Sequence, residues 1–217
     1  MNIHRAKPCG FSLISLMIGM LVAMIAVLGM MSLYRTVVRN TVESNADIRA
    51  TGDGSLALLM AHIYLHDAGY GIPSPSITDD LQSCTSATLN TQANTITTSG
   101  CTAPADGEVN TLLWRFDDGE KRCAGLHSFG QGFYYLAPVI CGENWPATWQ
   151  LQWLLDGAAI TIEVETFTTS DTPCRALGAA GSGGVAVTLA SEHAGSETSL
   201  DSTTCLVNFP FPAVNPP

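Results

Sequence analysis

From Phe11 to Leu33 the chain reads FSLISLMIGMLVAMIAVLGMMSL, twenty-three residues without a charge, proline, asparagine or glutamine. As a helix this run would extend about 34 Å, close to the hydrocarbon thickness of a bilayer. A buried core helix normally keeps a polar face, whereas only Ser12, Ser15, Ser32 and two glycines interrupt the apolar positions here, so the pattern predicts a membrane helix. Arg5 and Lys7 precede the run and Arg35 and Arg39 follow it, so flanking charge leaves the orientation open. Tyr34, Val37, Val38, Val42 and Ile48 then recur at approximate helical spacing among polar residues, which predicts an amphipathic helical stalk over 34–72. Gly52-Asp53-Gly54 predicts a kink or short break in it, since two glycines forfeit about 2 kcal/mol of helix propensity. Leu56, Leu59, Met60, Ile63 and Tyr64 follow the i, i+3, i+4, i+7, i+8 pattern of a face packed on a core. Gly69-Tyr-Gly-Ile-Pro-Ser-Pro should end the helix, with glycine as its cap and proline preventing continuation.

Beyond Pro73 the periodicity shortens. Thr148–Leu155 and Ile160–Phe167 flank Asp156-Gly157 and predict a β-hairpin, and Ile160, Ile162 and Val164 alternate with polar residues as on a half-buried strand. Val109–Phe116, Phe133–Leu136, Val185–Leu189 and Leu206–Phe209 are further candidate strands. Ser83–Ser99, Gly178–Gly184 and Ser191–Thr204 read as loops, and Pro210–Pro217 as an extended tail. The expected class is α+β, with a long N-terminal helix, half membranous and half amphipathic, packed against one antiparallel sheet in a head over 73–217.

Composition narrows the function. Charged residues are 13% of the chain, and nine Lys and Arg against nineteen Asp and Glu give a net charge of −10. From Thr51 onward seventeen acids face four bases, a net of −13. Such a head should be soluble, repelled by anionic lipid and unsuited to gripping phosphates, so nucleic acid is not an expected partner.

The order of parts at the amino terminus separates the remaining possibilities. A cleaved secretory signal would have a shorter apolar region ending in small residues, and a lipoprotein signal would place its cysteine after the run, whereas Cys9 precedes it. Instead a ten-residue polar, basic leader ends in Gly10 and is followed by Phe11, Ser12-Leu13-Ile14 and the long apolar segment. This arrangement resembles a type IV prepilin. The resemblance implies cleavage between Gly10 and Phe11 by a prepilin peptidase, N-methylation of Phe11, and packing of the helix with other pilins. The family usually has a basic residue directly before the glycine; here Pro8 and Cys9 stand between Lys7 and Gly10. Most members also carry Glu at the fifth mature position, where it pairs with a neighbour's amino terminus in a setting that makes an isolated carboxylate costly. Ser15 occupies that position, as in the exceptional minor subunits at the fibre tip. Leu65-His-Asp-Ala-Gly-Tyr-Gly-Ile is similar to the segment closing this helix in PilW-like minor pilins, without the Arg usual between the acid and Ala-Gly-Tyr.

The resemblance therefore implies a non-catalytic initiation subunit without cofactors. It would be held in inner-membrane lipid with its head in the periplasm and then built into an extracellular pilus with other minor pilins and the major pilin. A J-type minor pseudopilin of type II secretion shares the layout. A periplasmic enzyme or binding module on an uncleaved anchor is the reading from another class.

Of seven cysteines, Cys9 would leave with the leader, and the even remainder, Cys84, Cys101, Cys123, Cys141, Cys174 and Cys205, implies oxidation outside the cytoplasm. Six cysteines allow fifteen pairings. Sequential pairing is preferred because each pair then brackets one loop-like segment, each closure adding about 3 kcal/mol in the chain-entropy model. Zinc is disfavoured because no Cys-x-x-Cys occurs.

Candidates for chemistry are sparse. His62 and His66 have a spacing that can hold a metal from one helix face, but no Glu follows His62 as a zinc-protease motif requires, so two wet-side polar positions are expected. Asp117-Asp118-Gly119-Glu120 lacks the spaced acids of an EF-hand and reads as a turn. Gly181-Ser182-Gly183-Gly184 lacks the Lys-Ser/Thr ending of a phosphate loop. Among Trp114, Trp145, Trp149 and Trp153, the last pair shares a strand face and offers a sugar platform or, in the preferred reading, core.

Overall fold

The computed structural model describes residues 13–130, 132–156, 159–167, 172–175, 182–192 and 200–211. The leader, the Gly10-Phe11 bond, Gly157, Gly181 and the end of the proline-rich tail lie outside them. Among the described residues, helix α1 (Leu13–Leu65) is followed by twelve strands, and the chain divides into two compact units, 1–49 and 50–217.

In the first unit every described side chain of the helix is exposed, and Leu13–Asn45 is long and apolar enough to cross a membrane.

In the second unit, α1 stays helical through Gly52-Asp53-Gly54, so the expected break is absent. The reason lies in which face is buried. Gly54, Ala57, Leu58, Ala61 and Leu65 form the buried stripe, while Leu56, Leu59, Met60 and Ile63, expected to face the core, are exposed. Gly54, Ala57 and Ala61 let the helix backbone come close to the strands, and the packing gained on that face holds the helix through the glycines, although Gly52 itself is exposed. Tyr64 alone of the expected stripe packs inward, stacking on Tyr135 with ring centroids 3.9 Å apart. After Leu65 a turn leads to Gly69 and Gly71, both at positive φ. Gly69 donates its N–H to the Arg115 carbonyl at 2.8 Å, and Tyr70 accepts from the Asp117 N–H at 2.7 Å. At Gly71 a side chain is sterically barred, because a Cβ would stand 1.9 Å from the Asp117 carbonyl oxygen.

The head contains more than the single expected sheet. Strands β1 (Leu81–Asn90), β2 (Thr95–Thr102), β4 (Thr111–Asp117), β5 (Lys121–Phe129), β6 (Gly132–Ile140) and β7 (Thr148–Asp156) close an antiparallel barrel in the order β1-β2-β7-β6-β5-β4. Strands β3 (Gly107–Val109), β8 (Ala159–Thr166), β11 (Val185–Glu192) and β12 (Leu200–Cys205) form a second sheet ordered β12-β11-β8-β3, and β9 (Cys174–Arg175) pairs with β10 (Ser182–Gly183).

The expected hairpin about Asp156-Gly157 is not formed. β7 pairs with β2 and β6, whereas β8 pairs with β11 and β3, so the chain changes sheets there. It changes sheets again at Asn110, which divides the expected Val109–Phe116 strand: Val109 pairs with Ile162 in the second sheet, and Thr111 with Cys84 and His127 in the barrel. Ser83–Ser99, read as a loop, is most of the β1–β2 hairpin, because its many threonines suit a strand with one wet face. The expected loop Ser191–Thr204 contributes β12, and the expected strand Leu206–Phe209 is a turn.

Two cores result. Inside the barrel, Cys84, Ile96, Leu113, Cys123, Tyr134, Leu136, Trp149 and Leu151 come from all six strands. On the outer side of β4–β6, Leu112, Trp114, Leu126, Phe133 and Tyr135 pack with Ala57, Leu58, Ala61 and Leu65 of the helix and with Ile162, Val164, Val187 and Leu189 of the second sheet. Alternate residues of β4–β6 thus serve different cores, which explains why these strands read as nearly unbroken apolar runs. The Ser128 hydroxyl donates to the Ile160 carbonyl and ties the barrel to β8.

Three disulfides join Cys84 to Cys101, Cys123 to Cys141 and Cys174 to Cys205, neighbours in sequence in each case. Cys84 and Cys101 stand directly opposite in the β1–β2 ladder, and the third bond ties β9 to β12.

Candidate assembly surface

Two exposed apolar surfaces distinguish the chain, one in each unit. In the first, the large side chains from Leu13 to Leu33 are 56 to 74% exposed on all sides of the helix. Ser15 is among the exposed positions and brings no charge to them. Charge enters only at Arg35, and Arg39 pairs with Glu43 one turn on at 3.0 Å. A helix apolar all round is stable only when covered by lipid or by other protein.

In the second unit, Leu56, Leu59, Met60 and Ile63 are 39 to 55% exposed along one helix face. Beside them Ser55, Leu58, Leu59 and His62 line a groove of about 460 Å³ whose other wall is Leu200–Thr203 of β12. His62 leaves the wet face expected for it: its Nδ1 lies 2.6 Å from the buried Thr204 hydroxyl, and its Nε2 lies 3.1 Å from His66 Nε2. Burial, and secondarily the neighbouring His66, holds the His62 imidazole below its ordinary pKa.

The other sequence candidates are structural. Asp117–Glu120 makes the turn between β4 and β5, where Gly119 donates its N–H to Asp117 Oδ1 at 3.0 Å and Arg122 approaches Asp118 at 3.4 Å and Glu120 at 3.8 Å. Within the glycine-rich segment, a Cβ on Gly183 would meet the Leu206 carbonyl oxygen at 2.6 Å, so its smallness serves close packing. Trp114 is buried in the outer core and Trp149 in the barrel, where its Nε1 donates to Thr98 Oγ1 at 3.1 Å. Trp153, on the same strand, is 55% exposed and lies against Tyr134 with centroids 4.5 Å apart and ring planes tilted by 53°, whereas Trp149 is buried, so the two form no joint platform.

Among the buried polar side chains that sequence reasoning did not single out are Arg115 and His127. Arg115 reaches Asp80 at 3.8 Å, donates to the Asp79 and Glu143 carbonyls, and lies 4.4 Å over the Trp145 ring. His127, 2% exposed, has its Nδ1 2.8 Å from Thr111 Oγ1, and burial lowers its pKa to about 4, against a raising influence from its hydrogen bond with the Asn110 backbone. A charged residue inside Leu-Leu-Trp-Arg-Phe was the available signal for the first; nothing local marked the second. Among the described residues, no three His, Cys, Asp or Glu side chains converge as a metal cage. Comparison of the chain with family models, curated proteins and solved structures finds no match in any of the three.

Proposed function

We propose that the chain is a minor pilin of the PilW-like group, a non-catalytic structural subunit that helps to initiate a type IV pilus from its tip. The observation that carries this reading is a membrane-length helix, apolar on every side, that runs on as α1 into a disulfide-bonded β head. The order of leader, Gly10, Phe11 and helix at the amino terminus supports it, as does Ser15 in place of an assembly carboxylate. In this reading lipid covers Leu13–Leu33 before assembly and the helices of other pilins cover it afterwards, so the same apolar surface serves both states. Within the head, the exposed Leu56–Ile63 stripe offers a second apolar face for packing on neighbouring subunits.

Mass spectrometry of the mature amino terminus tests the proposal. A chain beginning at methylated Phe11 is the expected result, and loss of the prepilin peptidase should leave the leader attached. A mature chain that keeps Met1 would instead identify a permanently anchored protein.

A further inference from the structure

His62 and His66 lie one turn apart at the end of α1, with ring planes at 89° and Nε2 atoms 3.1 Å apart. The turn that carries them is held from both sides. Asn208 donates to the His66 and Ala68 carbonyls at 3.1 and 2.9 Å, and Thr204 Oγ1 stands 2.6 Å from His62 Nδ1. Thr204 is buried in β12, next to the disulfide-bonded Cys205, so its hydroxyl is a fixed partner. When His62 Nδ1–H donates to that hydroxyl, its proton is on the inner nitrogen and the Nε2 lone pair points at His66. An outer hydrogen bond that selects the tautomer in this way is the usual support of a metal-ligating histidine.

The spacing of the two nitrogens also suits an ion. With metal–nitrogen bonds of about 2.05 Å, two ligands are about 2.9 Å apart at a right angle and about 3.3 Å apart at the tetrahedral angle. The observed 3.1 Å lies between these values. Without an ion, one imidazole gives its Nε2 proton to the other; with His66 in its Nδ1–H tautomer, both Nε2 atoms present lone pairs to the same 3.1 Å gap. The Glu missing after His62 would matter for a catalytic zinc protease, but a two-imidazole chelate does not require it.

We propose that His62 and His66 bind one divalent ion of the copper, nickel or zinc type, with water completing its coordination. Imidazole suits these ions, and copper should bind tightest among them. The ion would clamp the last turn of the helix in the geometry already set by Thr204 and Asn208.

The test is titration of the full chain in detergent with Cu²⁺, followed by calorimetry and by electron paramagnetic resonance, with Zn²⁺ as a second probe. A saturable phase of one equivalent with nitrogen ligands is expected, together with a rise in melting temperature. His66→Gln and His62→Ala should each abolish that phase. Thr204→Val, which keeps both ligands, should weaken it about tenfold. His193→Ala is the control and should leave it unchanged. Circular dichroism and melting of each variant without metal establish that it folds. Absence of a one-equivalent phase in the wild type, or its persistence in folded His66→Gln, would overturn the assignment.

Discussion

A neutral imidazole inside a barrel makes His127 a gauge of how acid destabilises the head. Its pKa is lowered to about 4 in the folded chain, from an ordinary value of 6.5, chiefly by burial. Between these values the unfolded chain binds a proton that the native chain does not, so stability is complete above pH 6.5, falls as pH drops towards 4, and levels off below. At pH 4.5 the loss from this residue should be about 2.5 kcal/mol. Urea unfolding of the head at pH 7 and pH 4.5 should show that much less acid loss in His127→Gln, which keeps a polar side chain without the titration. Equal losses in the two proteins would mean that other groups govern the acid limb. Arg115 poses the opposite problem, a buried guanidinium. Asp80, two carbonyls and the Trp145 face surround its guanidinium and offset part of the lost hydration, while its Nε is left without a hydrogen-bond partner.

Across the helix in the head, two apolar faces compete, and the one that carries the small residues Gly54, Ala57 and Ala61 is the buried one. Ala61 is fully buried against the sheets, and Leu59, two residues earlier, is 55% exposed. Ala61→Leu should therefore overpack the interface and cost about 1 to 3 kcal/mol. Leu59→Ser should change head stability by no more than about 0.5 kcal/mol. If the exposed stripe packs on neighbouring subunits, the second variant should reduce the number of pili per cell while its purified head unfolds normally. The reverse ranking in urea would show that the stripe, and not the alanine face, meets the core.

For the molecule as a whole, charge distribution sets two regimes. The segment before Arg35 has no charge from Leu13 onward, whereas the chain from Thr51 carries a net −13 from seventeen acids and four bases. The first suits lipid or helix bundles and the second suits water. Ser15→Glu would add the one carboxylate able to attract a neighbour's amino terminus within the apolar segment. If the chain is the minor pilin proposed above, the effect should appear in assembly: the copy number of the subunit in sheared pili should rise, or initiation should be disturbed, with membrane insertion intact. Unchanged stoichiometry and pilus number would deprive Ser15 of positional meaning.

The sequence by itself determined what depends on neighbours along the chain. An unbroken apolar run is a membrane-length helix wherever it is placed, and Gly69 and Pro73 stop a helix by their own geometry, whereas the six head cysteines left fifteen pairings open until the strands brought the sequential partners together. Tertiary structure decided what depends on which surface comes near. Leu56, Leu59, Met60 and Ile63 satisfy the same periodicity as the buried stripe, and only the close approach of the sheets selected Gly54, Ala57 and Ala61 instead. Asp156-Gly157 reads as a hairpin turn, yet the strands on either side each had a better partner elsewhere, in a barrel whose closure is a property of all six strands together. The apolar setting of Arg115 is legible in Leu-Leu-Trp-Arg-Phe, but its meeting with Asp80, like those of His127 with Thr111 and His62 with Thr204, is not, because each partner comes from another element of the fold.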